Sequence, residues 1–115
     1  MTIVFRLAGA LMAKGGAVQY RVDPKSGNRI SALGLGCMRF PGAPGRPDAK
    51  TADAIISRAV EQGINYLDTA YLYPGNEACV GASLERLGLR AQVLLATKLP
   101  HASCKWAEDF DRFFD

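Results

Sequence analysis

TADAIISRAVEQGINYLDTAYLYPGNEACVGASLERLGLRAQVLLATK, residues 51–98, changes its hydrophobic period three times. From Thr51, the residues Ala52, Ile55, Ile56, Ala59 and Val60 fall on one side of a helix, with Asp53 and Glu61 elsewhere. Gly63 is placed to close that helix as a C-cap. Residues 64–68 then read as a short strand, and a loop runs on to Gly75. Asn76 is placed to cap a second helix, in which Val80, Leu84 and Leu87 repeat at helical spacing until Gly88. Residues 92–98 are apolar and partly β-branched, as in a buried parallel strand, and Pro100 ends them. Strands alternating with helices at roughly 30-residue spacing are βαβ units, whose right-handed crossovers build a parallel sheet with helices outside. The fold class predicted is α/β.

Upstream, Val18, Tyr20 and Val22 alternate with Gln19 and Arg21, the pattern of a half-buried strand. The turn cluster at residues 23–28 makes a hairpin, with residues 29–33 returning. Residues 33–38, LGLGCM, are small and apolar on both faces, which predicts a strand buried from two sides. Prolines 41, 44 and 47 with Gly42 and Gly45 predict an irregular exposed connection over residues 40–48. At the far end, Phe110, Phe113 and Phe114 form an aromatic helical stripe. Such a stripe and a three-stranded parallel sheet leave an edge and an apolar face to be covered, so the chain reads as the front of a larger fold. A partner copy pairing through the exposed edge is the other reading.

Length and composition bound what this fold can do. The 115 residues, 49% hydrophobic and 22% charged, suit one globular domain. Fourteen basic against eleven acidic residues give +3, too mild and too scattered to predict nucleic acid or an anionic membrane as partner. Cys37, Cys79 and Cys104 lie far apart, without the close spacing of zinc ligands or redox couples, so no metal site is predicted and a reducing, cytoplasmic setting fits. The apolar run over residues 3–13 carries Arg6 and falls short of the about 20 residues that a membrane span needs. Residues 1–16 are expected to be a poorly ordered extension, with Met12 an alternative start, and residues 17–115 the domain.

In parallel α/β folds, sites gather at the carboxyl ends of the strands. Asp68 and Lys98 end the second and third strands, so neighbouring strands would let them pair. Tyr73 follows in the next loop. An ammonium beside a phenol favours the phenolate, which lets tyrosine give a proton to a carbonyl oxygen while a nicotinamide delivers hydride to the carbon. The same residues also read as a structural salt bridge and a packing tyrosine. Gly34 and Gly36 suggest a dinucleotide loop, but Arg39 stands where a third glycine is needed and no helix follows directly. Cys37 and Cys79 read as small packing residues, Cys104 as a loop thiol, His101 as a solvated loop histidine, and Trp106 as a helix-start aromatic packed on the barrel or bordering a pocket.

The run NYLDTAYLY at residues 65–73, followed by Asn76, Glu77, Gly81 and Leu84, resembles the aldo-keto reductase signature. Residues 96–98, ATK, do too. Residues 33–39, residues 97–100 and the stretch EDFD at 108–111 are similar to the bacterial branch whose longer members append an iron–sulfur tail. The resemblance spans about residues 18–115. It implies the N-terminal part of a (β/α)8 TIM barrel, with a hairpin plugging the bottom and about three βα units. It also implies NADP(H) as hydride donor, and an Asp, Tyr, Lys and His tetrad.

Three of those positions match: Asp68 holding Lys98, Lys98 tuning the phenol, and Tyr73 as proton donor. The histidine is expected beyond Asp115, as are most adenosine-phosphate contacts and any iron–sulfur cysteines. Gly36, Cys37, Met38 and Arg39, with Asp68, are the cofactor candidates that the resemblance implies. The expected activity of the intact parent is reduction of a small aldehyde or ketone to an alcohol, with the fragment inactive alone. The alternative is a cofactor-binding or interaction module without turnover.

Overall fold

The computed structural model describes residues 2–5 and 18–113. Its strands, in chain order, begin with β1 (Thr2–Phe5), β2 (Tyr20–Val22), β3 (Arg29–Ser31), β4 (Leu35–Gly36), β5 (Gly42–Ala43) and β6 (Arg46–Pro47). Helix α1 (Ala49–Glu61), β7 (Tyr66–Asp68), α2 (Asn76–Arg86), β8 (Leu94–Lys98) and α3 (Ala107–Arg112) follow. The main sheet has the order β1-β8-β7-β4. Two pairings place β4, β7 and β8 parallel, with Gly36 beside Asp68 and Asp68 beside Ala96, while β1 runs antiparallel to β8.

Each helix between parallel strands forms for local reasons that also aim it. Asp48 caps α1, accepting the Thr51 N–H at 2.8 Å, so the helix starts two residues before the Thr51 that the period suggested. That bond, from side chain and main chain of Thr51, holds the Asp48 carboxyl below the usual carboxylate range. Gln62 is the C-cap, and Gly63 lies beyond it at φ +90°. Helix α1 buries Ala52, Ile56 and Ala59, and α2 buries Val80, Ser83 and Leu84. Of these, Ile56, Val80 and Leu84 form one core with Cys37, Leu67 and Val93 between helices and sheet. Arg86 clasps Asp53 across the two helices with Nη2 at 2.7 Å and Nε at 3.1 Å, an exposed pair that solvent screens.

The hairpin β2–β3 sits at the amino end of the strands. Asn65, just before β7, accepts the Ser31 N–H at 2.8 Å and donates to the Arg29 carbonyl at 2.8 Å, while the Tyr20 hydroxyl donates to Gly63 at 2.6 Å. The floor of the sheet is therefore closed and its carboxyl end left open. Gly63 has to be glycine: a Cβ there would lie 2.9 Å from the Tyr20 hydroxyl oxygen at a positive φ.

Several expectations change in detail. Val22 is 63% exposed, so the alternation buries Val18 and Tyr20 only in part and not its last member. Residues 33–38 shorten to β4, with Leu33 and Met38 exposed, because among the described residues β4 pairs on one side only. The proline-rich connection holds the two-residue ladder β5–β6, where Gly42 at φ +144° tightens the bend. Within the supposed extension, Thr2–Phe5 form β1, while residues 6–17 lie outside the described residues. Of the aromatic stripe, Phe110 is 43% exposed, Phe113 meets Tyr71 edge to face at 5.0 Å, and Phe114 lies outside the described residues. Trp106 is 73% exposed. No helix among the described residues is long and apolar enough to cross a membrane.

Candidate active site

Strand adjacency decides the site. Because β7 and β8 are parallel neighbours in register, Asp68 and Lys98 emerge at the same rim. Lys98 Nζ donates to Asp68 Oδ1 and, at 2.8 Å, to the Thr69 carbonyl. The same ammonium lies 5.2 Å from the centroid of the Tyr73 ring, within cation–π range. Asp68, Tyr73 and Lys98 are all half-buried, packed enough to be held and open enough to be reached. Burial alone pulls the Lys98 ammonium down. The Asp68 hydrogen bond and charge, with a smaller part from Tyr73, outweigh it and leave Lys98 above its ordinary value. The lysine is thus a committed cation at the rim.

Tyr73 is placed by the chain reversal between β7 and α2. Its N–H donates to the Ala70 carbonyl at 3.0 Å and its carbonyl accepts from Asn76 at 3.0 Å. Gly75 then takes φ +68° as the helix N-cap, where a Cβ would lie 2.2 Å from the Gly45 carbonyl oxygen. Asn76 is therefore the first residue of α2 and not its cap, a correction to the capping expected of it. Its amide turns inward instead: Nδ2 donates to the Cys37 carbonyl at 2.6 Å, and Oδ1 accepts from Thr69 Oγ1 at 2.5 Å. The sequence reading placed Asn76 and Thr69 within the signature and gave neither a part in the site. The available signal was Gly75 standing directly before Asn76, since a left-handed glycine can take the capping position itself.

The cofactor candidates divide. Gly36, Met38 and Arg39 are exposed at the rim, and a Cβ at Gly36 would meet nothing within 4 Å. Cys37 is fully buried, its N–H bonded to the Asp68 carbonyl at 2.8 Å and its C=O to Asn76. It offers a ligand no free donor. Burial first, then the Asp68 charge, push its thiol up to about 12. His101 is exposed in a short 3-10 turn past Pro100, away from the ion pair's bonding partners. No group of three or more His, Cys, Asp or Glu able to hold a metal occurs among the described residues.

A parallel sheet thus presents an acidic, a cationic and a phenolic side chain at its carboxyl rim, over a hairpin-closed floor, as a barrel-type α/β scaffold does. The chain belongs to the aldo/keto reductase family, whose model matches residues 32–114. It is 39% identical over 83 residues to norsolorinic acid reductase stcV of Emericella nidulans, covering 67% of this chain and 21% of that protein. It is 31% identical over 77 residues to the NADP(+) aldo-keto reductase yakc of Schizosaccharomyces pombe, covering 64% of this chain and 23% of that one. Among solved structures, aldo-keto reductase AKR11C1 from Bacillus halodurans, in its holo form, superposes with TM-score 0.58 at 39% identity, covering 71% of this chain and 26% of that one. The chain thus spans about a quarter of the length of such relatives. Its α/β architecture is the N-terminal part of a (β/α)8 barrel, with β4, β7 and β8 as successive staves.

Proposed function

We propose that this chain carries the proton-donating side of an NADPH-dependent site that reduces a small aldehyde or ketone to an alcohol. One observation carries the proposal: Lys98 is gripped by Asp68 and the Thr69 carbonyl with its ammonium 5.2 Å from the Tyr73 ring. When bound, the reduced nicotinamide supplies hydride to the carbonyl carbon. Tyr73 gives its hydroxyl proton to the carbonyl oxygen, and the Lys98 ammonium stabilises the phenolate left behind. Asp68 keeps Lys98 charged and aimed. The charge developing on oxygen thus meets a fixed cation, and little has to reorganise during the transfer.

The exposed backbone at Gly36, with Met38 and Arg39 beside it, has room for a flat ring at this rim, which supports a nicotinamide at the β4 end. The NADP(+) in the name of one relative and the holo form of the AKR11C1 structure support the same cofactor class. A reducing, cytoplasmic setting belongs to the proposal, since Cys37, Cys79 and Cys104 are free thiols.

The test is NADPH oxidation by the purified protein with a simple aldehyde, alongside cofactor binding followed by fluorescence. Turnover that falls about 10²–10⁴-fold in Tyr73→Phe supports the reductase, that being the usual worth of a positioned general acid. Binding without turnover in a protein that also carries the remaining barrel strands points to a module that holds cofactor only, and overturns the proposal.

A further inference from the structure

We propose that Asn76 is a positioning residue, with Thr69 as its relay, setting the distance between the Tyr73 ring and the Lys98 ammonium. The inference rests on the reading of Tyr73 and Lys98 as the proton-transfer pair. Its grounds are the connections of one buried amide. Asn76 is 1% exposed, Thr69 1% and Cys37 0%. Through its main-chain N–H, Asn76 holds the Tyr73 carbonyl at 3.0 Å. Through Oδ1 it takes the Thr69 hydroxyl at 2.5 Å, and the carbonyl of that same Thr69 accepts Lys98 Nζ at 2.8 Å. Through Nδ2 it ties both to the Cys37 carbonyl at the end of β4 at 2.6 Å. One residue thereby holds the Tyr73 loop through its main chain, while its side chain joins the acceptor of Lys98 to the neighbouring strand.

The residue type follows from that geometry. The position needs a donor and an acceptor on one short planar group: aspartate lacks the donor for the Cys37 carbonyl, serine is too short, and glutamine is a methylene too long for a close-packed site. A helix starting with Asn for capping alone would leave the amide at the surface. Here Gly75 performs the turn, and the amide is free for the clamp.

The experiment is NMR of the isotopically labelled chain, reading two properties of Lys98: the ring-current displacement of its side-chain protons by Tyr73, and its titration midpoint. In Asn76→Asp and in Thr69→Val, which keeps volume but removes the hydroxyl, we expect most of the ring-current displacement to be lost. The Lys98 midpoint should fall toward its ordinary value of 10.5. Thr69→Ser should restore both. Should Asn76→Asp fail to fold, Thr69→Val decides. A folded Thr69→Val protein with both Lys98 properties unchanged, even if less stable, overturns the inference, since a purely structural hydrogen bond predicts that result. The readout needs no turnover, so loss of the proposed reductase activity and loss of this positioning role remain separate outcomes.

Discussion

Lys98 stands at the point where several small interactions become one constraint. Its ammonium has a carboxylate, a carbonyl and an aromatic face as neighbours, and each favours the charged form over the neutral amine. Asp68→Asn keeps the shape and removes the charge, so the Lys98 titration midpoint is expected to fall, measurable by NMR of the labelled side chain. Cys37 shows the opposite use of burial. Fully enclosed and held neutral, it should resist thiol reagents in the native protein, whereas the partly exposed Cys79 and Cys104 should react. Titration with a chromogenic disulfide would then count two thiols before unfolding and three after. A native count of three would contradict the packing around Cys37. Asp68 and Lys98 were legible in the chain because strand ends can be read from period and punctuation, whereas Tyr73 was joined to them by the family resemblance. The role of Asn76 was not legible, because whether an asparagine caps a helix or clamps a strand depends on the backbone angle of the residue before it.

At the level of elements, the turn into α2 and the edge of β8 are the informative places. Gly75→Ala must place a Cβ at φ +68° against the Gly45 carbonyl oxygen, so the left-handed penalty alone, about 1–2 kcal/mol, is a lower bound. A fall of several degrees in the thermal midpoint is expected, with the Tyr73 loop losing order first. On β8, the Leu94 N–H and the carbonyls of Ala96 and Lys98 face β7 and its following loop, so alternation turns the amides of Leu95 and Thr97 toward β1. Ile3 lies opposite Thr97 and Val4 opposite Ala96. Ile3→Pro should therefore strip exchange protection from Leu95 and Thr97, while Val4→Pro, at an outward-facing amide, should leave it. Equal exchange in both variants would refute the pairing. The pattern-based reading missed β1 because a strand added at an edge is chosen by whatever vacancy the sheet offers, which no local period encodes.

Across the whole molecule, buried titratable groups govern how stability depends on pH. The folded Cys37 thiol lies at about 12 against an ordinary 9.0, so the unfolded chain gives up its proton first as pH rises. Stability from this group is complete below pH 9 and declines through the window up to about 12, by at most about 1.4 kcal/mol per pH unit. Lys98, also raised, has the same sign: its contribution is present below 10.5 and is lost as pH climbs through the folded value. Urea unfolding across pH 7–11 should show a plateau and then a decline, and Cys37→Ala should flatten the decline from pH 9. An open apolar groove of about 530 Å³ is lined by Leu35, Ala54, Ile55 and Ile64 among others, and so lies between α1 and β4, a strand that among the described residues has a neighbour on one side only.

Hydrophobic period, turn residues and strand-end polarity by themselves determined the α/β alternation and the two charged side chains at the strand ends, because those features are written in local stretches of the chain. Tertiary structure alone decided that β7 and β8 are neighbours in a register that joins Asp68 to Lys98, that β1 takes the outer edge of β8, and that the Asn76 amide points inward. Each of these is a choice among distant surfaces, settled by which backbone groups remain unpaired and which cavities remain unfilled once the local elements have formed.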